Sequence, residues 1–361
     1  MKVIVMKKGL VVLLSMILLL FTACASKSDP PAGQSGANPS GSNTSNTNAG
    51  NTNTPKEVSG TINLYTSEPQ DLVNEMMNDF KSKYPKIDVK IYRSGTGEVI
   101  SKLEAEAAAG KIQADVLWFA DIDYFNKLAQ EGKLEEYKSP EAQNLDQRYI
   151  YENGKYYEVR QIFNVIGYNT SKIKTAPTSW KDLAGADYKG KVAIANPNYS
   201  GAAFLTLATL VNDSNLGWDY FTSLKNNDVK FEQSNGNLSS KLASGEYYGV
   251  SVVDFMVRNA KKAGSPVDVV YPKEGAVLVP TPVGILSQSA NKEAAKVLVD
   301  YFLSMDGQKL FVKQGYIPVK PEAGAPEGAP KPEDIKLFPL DLNFIGKNRD
   351  SLKQKFTELF G

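Results

Sequence analysis

Val89-Lys90-Ile91-Tyr92-Arg93-Ser94-Gly95-Thr96-Gly97-Glu98 decides how this chain is read. An alternating, β-branched run ends in a small polar turn. A helical pattern follows at once, with Val99, Ile100, Leu103 and Ala107 on one face and Glu98, Lys102 and Glu106 on the other. Strand, tight Ser/Gly/Thr turn and helix together aim free backbone N–H groups and hydroxyls at one spot. The helix N-terminus adds about half a positive charge there. Such a spot suits a phosphate, phosphonate, sulfate or carboxylate. The plainer alternative is that Ser94 or Thr96 only caps the helix. Neither nucleotide fingerprint fits, since no Lys follows as in a P-loop and the third glycine of GxGxxG is missing.

The same rhythm continues on both sides. Thr61 to Ser67 reads as a strand, followed by Leu72, Val73, Met76, Met77 and Phe80 at helical spacing. Ala114-Asp115-Val116-Leu117-Trp118-Phe119-Ala120 reads as a short buried strand, and Asp121 is placed to cap the helix after it. Strands alternating with helices imply a mostly parallel sheet. Ligands on such sheets gather at the carboxyl ends of the strands. The turns at Thr66-Ser67, Ser94-Gly95-Thr96 and Phe119-Ala120-Asp121 then face one crevice.

In the middle of the chain, Tyr156 to Asn169 reads as one strand long enough to leave one domain and enter another. Lys191 to Ala195 is a further strand, ending in Asn196-Pro197-Asn198-Tyr199-Ser200-Gly201 before an apolar helix. This is a second polar turn feeding a helix N-terminus. On an opposing domain it would grip a ligand from the other side.

The first residues are read as targeting rather than fold. Lys2, Lys7 and Lys8 precede an apolar run, Gly9 to Phe21, that ends in Leu20-Phe21-Thr22-Ala23-Cys24. This resembles a bacterial lipoprotein signal over residues 1–23, in which Cys24 becomes the lipidated first residue. Residues 24–58 are Ser, Asn, Thr, Gly and Pro with hardly an apolar side chain, so they are expected to be a disordered tether spanning ~30 Å. Cys24 is the only cysteine, which excludes an internal disulfide framework. Without the three signal lysines, Lys plus Arg falls from 41 to 38 against 40 acids. No basic field for nucleic acid results. No Ser/His arrangement, HExxH, CxxC or Walker motif is present, and the chain has no histidine. An enzyme is therefore not expected, and a secreted hydrolase working through paired carboxylates is kept only as a second alternative.

Taken in order, Tyr65-Thr66-Ser67, Ser94 to Glu98, Ala114 to Trp118, Gly167-Tyr168-Asn169, Asn196-Pro197 with Ser200-Gly201, and Thr281-Pro282-Val283-Gly284-Ile285 resemble the substrate-binding lipoproteins of ABC importers. The late stretch Ala294-Ala295-Lys296 through Gly307-Gln308 fits as well. The lineage is the one holding ferric-ion, phosphonate and sugar-phosphate binders. The resemblance implies an α/β fold of the type II periplasmic-binding-protein kind, two lobes with a ligand cleft between them. The lobes are expected at 59–165 plus 277–319 and at 166–276 plus 320–361. It implies a monomer that hands a small solute to a membrane permease, with no cofactor.

The cargo expected from these readings is a small organic anion, a phosphonate or sugar phosphate. Thr66, Ser67, Ser94, Gly95, Thr96, Asp121, Asn196, Ser200 and Gly201 would supply its cradle. Arg160, in an otherwise apolar strand, would meet the anion or pair with Asp254 or Glu274. Asp254 and Glu274 would accept hydrogen bonds from the organic part; in sugar-phosphate-binding relatives a carboxylate stands where Asp254 does. Ferric ion is the alternative cargo, because iron binders of this lineage use two adjacent tyrosines and the chain has Tyr247-Tyr248. On the family's pattern, however, that ligand pair falls at Asp254-Phe255, which leaves Tyr247 and Tyr248 as ordinary strand residues.

Overall fold

The computed structural model describes residues 58–361, so the signal, the tether and Cys24 lie outside the described residues. The chain begins β1 (Gly60–Thr66), α1 (Gln70–Lys83), β2 (Ile87–Arg93), α2 (Thr96–Ala108), β3 (Val116–Trp118), α3 (Ile122–Gln130). The three strands pair in parallel in the order β2-β1-β3. Side chains alternate across β1. Ile62 and Leu64 therefore pack with Val73, Met76 and Phe80 of α1, while Tyr65 turns to the opposite face with Val99, Leu103 and Phe125 of α2 and α3.

Next come β4 (Ile150–Tyr151), β5 (Tyr156–Glu158), β6 (Arg160–Gln161) and β7 (Phe163–Asn169). The single strand expected over 156–169 is three. β5 belongs to the first sheet, β6 pairs with a short strand near the end of the chain, and β7 lies inside the second sheet. Each change of partner breaks the ladder, at Val159 and again at Ile162.

The second sheet is completed by β8 (Val192–Ala195), α4 (Gly201–Asn212), α5 (Gly217–Asn226), β9 (Lys230–Glu232), α6 (Asn235–Ser244), β10 (Gly249–Val253), α7 (Asp254–Lys262), β11 (Val267–Val270) and β12 (Val277–Leu278). Its order is β11-β7-β10-β8-β9, with β12 also on β7. The chain then returns through β13 (Pro282–Ile285), α8 (Lys292–Leu303), α9 (Met305–Lys313) and β14 (Ile317–Pro318), and ends in α10 (Leu342–Phe360). β13 enters the first sheet between β3 and β5, antiparallel to both. β7 runs antiparallel to β10 and β11. Both sheets are thus mixed rather than mostly parallel, because strands arriving from the other sheet run against those already there. β14 pairs with β6, so two crossing segments lie side by side.

The last helix buries Leu352 and Phe356, and its Phe356 and Phe360 rings pack on Phe231 beside the second sheet. It also reaches the first sheet's α3 through Arg349. Among the described residues, no helix is long and apolar enough to cross a membrane.

Candidate ligand-binding site

Five helices begin around one cavity of about 150 Å³, lined from elements of both sheets. α1 opens after Ser67-Glu68-Pro69, α2 after Gly95, α4 after Ser200, α6 after Ser234 and α7 after Val253. The first N–H groups of a helix lack partners within it, and its N-terminus carries about half a positive charge. Five such starts make a wall rich in donors and positive in potential.

On the first-sheet side, Thr66 is fully buried and accepts a hydrogen bond from the Glu68 N–H at 3.1 Å, which sets the turn. The Glu68 carboxylate accepts from both terminal nitrogens of Arg160, at 2.6 Å from Nη1, and from the Tyr316 hydroxyl at 3.1 Å. Arg160 is 1% exposed and lies over the Tyr316 ring at 3.8 Å and the Trp118 ring at 4.8 Å. Burial is the largest influence and disfavours its cation, but Glu68, Tyr316 and Glu158 together hold the guanidinium above its ordinary pKa. The Arg160 Nε is buried and has no partner among the described residues. Arg93, an exposed side chain, donates from Nε to the Glu68 carbonyl at 2.8 Å.

Thr96 is 4% exposed, lines the cavity, and its hydroxyl makes no hydrogen bond among the described residues. Opposite it, Ser200 Oγ accepts from Ala203 N–H at 3.3 Å and Asn235 Nδ2 at 3.2 Å, which leaves its own O–H to donate. The Asn235 Oδ1 accepts from Val253 N–H at 3.3 Å, tying the starts of α6 and α7 together.

The two polar turns touch. Gly97 N–H donates to the Tyr199 carbonyl at 3.2 Å. A Cβ on Gly201 would stand 2.0 Å from the Ala120 carbonyl oxygen, and one on Gly97 would stand 2.3 Å from that of Asn198. Only glycine permits that approach.

Of the residues expected in the cradle, Ser67, Gly95, Thr96, Arg160, Ser200 and Gly201 come together on this cavity. The others do not line it. Ser94 donates its hydroxyl to the Glu98 carboxylate and does not cap α2, whose N-cap is Gly95. Asn196 shapes the second turn, its Oδ1 accepting from Asn198 N–H at 2.9 Å. Asp121 caps α3 and accepts from Arg349 at 2.6 and 2.8 Å.

The two carboxylates expected to meet the ligand's organic part are committed elsewhere. Asp254 is fully buried and accepts from Arg258 at 2.7 Å, Tyr271 hydroxyl at 2.8 Å and Phe163 N–H at 3.1 Å. Glu274 accepts from the Ser179 hydroxyl and from Trp180 N–H at 3.4 Å, at the start of a short 3₁₀ turn. Tyr247 donates to Glu232 at 2.6 Å, and neither it nor Tyr248 lines the cavity.

Sequence reading missed Glu68, Arg93, Tyr316 and the Ser234-Asn235-Gly236 turn. The last repeats the signature of the other two turns, a polar cap straight after a strand. Its strand, β9, is only three residues long and partly exposed, so it left a faint pattern.

Residues 75–338 match the bacterial extracellular solute-binding protein family, and the chain belongs to it. It is an extracytoplasmic binding protein of the ABC-transporter type with the type II periplasmic-binding-protein fold, and not an enzyme. An uncharacterized protein of Haemophilus influenzae is 31% identical over 319 residues, covering 83% of this chain and 90% of that protein. A putative 2-aminoethylphosphonate-binding periplasmic protein of Salmonella typhimurium is 26% identical over 239 residues, 64% of this chain and 68% of that one. The structure of the periplasmic binding protein AfuA from Actinobacillus pleuropneumoniae, with fructose 6-phosphate bound, superposes with a TM-score of 0.76. It is 25% identical and covers 83% of this chain and 98% of AfuA.

Proposed function

We propose that this protein captures a small organic anion, a phosphonate or sugar phosphate, in the cavity where the five helices begin, and delivers it to an ABC permease. The observation that carries this reading is the unpartnered Thr96 hydroxyl, set among helix N-termini that open on both sheets. The relatives support the class, since one is named for an aminophosphonate and another holds a hexose phosphate. The buried Glu68 gives the ligand's hydroxyl or amine end an acceptor that Asp254 and Glu274 do not. The two sheets are read as the cores of two lobes that close on the solute by a hinge at the crossing segments. The protein acts as a monomer tethered to the membrane by a lipid on Cys24.

Calorimetric titration of 2-aminoethylphosphonate and fructose 6-phosphate tests the reading. Thr96→Val keeps the size and removes one donor, and a charge-assisted hydrogen bond is worth roughly 1.5–3 kcal/mol. Affinity for the bound anion should fall about ten- to a hundredfold, with little change in the melting temperature. Unchanged affinity, or a protein that binds neither anion, overturns the assignment.

A further inference from the structure

Behind the crossing segments lies a second, larger cavity of about 590 Å³. The segment from Arg160 to Phe163, where β6 gives way to β7, forms the partition between it and the site above. Successive side chains of a strand point to opposite faces. Arg160 and Ile162 accordingly line the first cavity, while Gln161 and Phe163 line the second. The neighbouring β14 segment does not alternate: Tyr316 stands in front, while Ile317, Pro318 and Val319 all line the rear cavity. The outer wall of the rear cavity is the Pro/Gly-rich strap that runs from Pro321 to Pro332.

Gln161 is the telling residue. It is 9% exposed, yet its side-chain amide makes no hydrogen bond among the described residues. The Gln161 amide is not among the sealed side-chain atoms left unpaired, and a polar group without a protein partner but open to a cavity is free to meet a ligand. This one opens on a cavity whose volume lies within the range of small-molecule sites, roughly 300–1,000 Å³. Beside it stand the buried rings of Tyr149 and Phe163, the former with the Arg148 guanidinium over it at 4.8 Å.

We infer that the rear cavity is a second small-molecule site, for an uncharged planar compound with an amide-like edge. The primary amide of Gln161 offers one donor side and one acceptor side, which a carboxamide, lactam or pyrimidinedione edge matches. The aromatic rings and the strap's prolines cover the flat body of such a ligand. The charged residues at the rim favour neither sign. Arg148 is paired with Asp146 at 3.1 Å and Lys320 with Glu141 at 3.0 Å, while Lys331 stands among Glu322 and Glu333 on the strap. Because the partition is one extended segment of chain, an occupant braces the stretch that carries Arg160.

Nicotinamide, benzamide and uracil are the probes. Each is added at millimolar concentration to the full chain and followed by calorimetry and by hydrogen exchange. At least one should slow exchange over residues 159–163 and in the strap at 324–329. Gln161→Leu should weaken that binding at least tenfold without lowering the melting temperature, because the lost amide had no partner in the protein. Inorganic phosphate should leave exchange in the strap unchanged. No protection by any of the three probes means the cavity holds only solvent and overturns the inference. Equal binding by Gln161→Leu, or strap protection by phosphate, overturns it as well. Binding of the front-cavity anion by Gln161→Leu is measured alongside, and its retention separates loss of the rear site from loss of fold.

Discussion

The molecule uses the same three chemical parts twice. In one place the Glu68 carboxylate is held by Arg160 and by the Tyr316 hydroxyl; in the other, Asp254 is held by Arg258 and by the Tyr271 hydroxyl. Both carboxylates are almost wholly buried. What separates them is sequence distance and access. Arg258 lies one helical turn from Asp254, so that pair braces α7 from within and fixes the Phe163 N–H at the start of β7. Arg160 is 92 residues from Glu68, so that pair fastens the start of α1 to the crossing strand. It also opens on the cavity, where Asp254 does not. Identical chemistry therefore gives a strut in one place and a wall of the cavity in the other.

The sharpest way to break this comparison is to remove each carboxylate. Taking one partner from a buried ion pair leaves an uncompensated charge and costs about 3–5 kcal/mol. Glu68→Ala and Asp254→Ala should both lose stability on that scale in urea unfolding. Only Glu68→Ala should also lose affinity for the anion when the folded fraction is titrated. Equal loss of affinity in Asp254→Ala would remove the distinction.

A third buried carboxylate sharpens it. Glu158 accepts only from Thr281, through N–H at 2.8 Å and hydroxyl at 3.2 Å, and its second oxygen has no partner among the described residues. Burial pushes its pKa up from 4.5 to about 8. Between those values the native state keeps a proton that the unfolded chain has released. Stability therefore falls as pH rises through that window, by up to about 1.4 kcal/mol per pH unit. Glu158→Gln should flatten the slope of urea midpoint against pH over the same interval. An unaltered slope would assign the pH dependence to other groups.

The smallest effect belongs to Ser94. Its hydroxyl serves Glu98 at the head of α2 rather than the cavity. Ser94→Ala should cost about 1 kcal/mol or less and leave anion affinity as it was, whereas Thr96→Val two residues on should do the reverse.

These contrasts follow what a single sequence can carry. The turns before α2 and α4 were legible because strand, cap and helical period are all written within a dozen residues. The i,i+4 spacing of Asp254 and Arg258 is equally local, but it is not weighed in the reading of Asp254 as a ligand residue. A carboxylate following an apolar strand reads as a site residue only if that spacing is ignored. Glu68 could not be matched to Arg160, because nothing near either residue records a partner so far along the chain. The breaks at Val159 and Ile162 were hidden for a related reason. A strand that changes neighbours keeps its apolar composition and shows no local mark of the change.

Gly201 lies so close to the Ala120 carbonyl that a single methyl group has no room between them. In engineering terms the contact is a keyhole. Alanine at this position is a wedge of known size, set between the two turns rather than within the core of either sheet. A chain wedged in this way would hold the turns apart and press on Thr96, whose Cγ2 stands 3.0 Å from the same Cβ, so it would report how far the cavity depends on that approach.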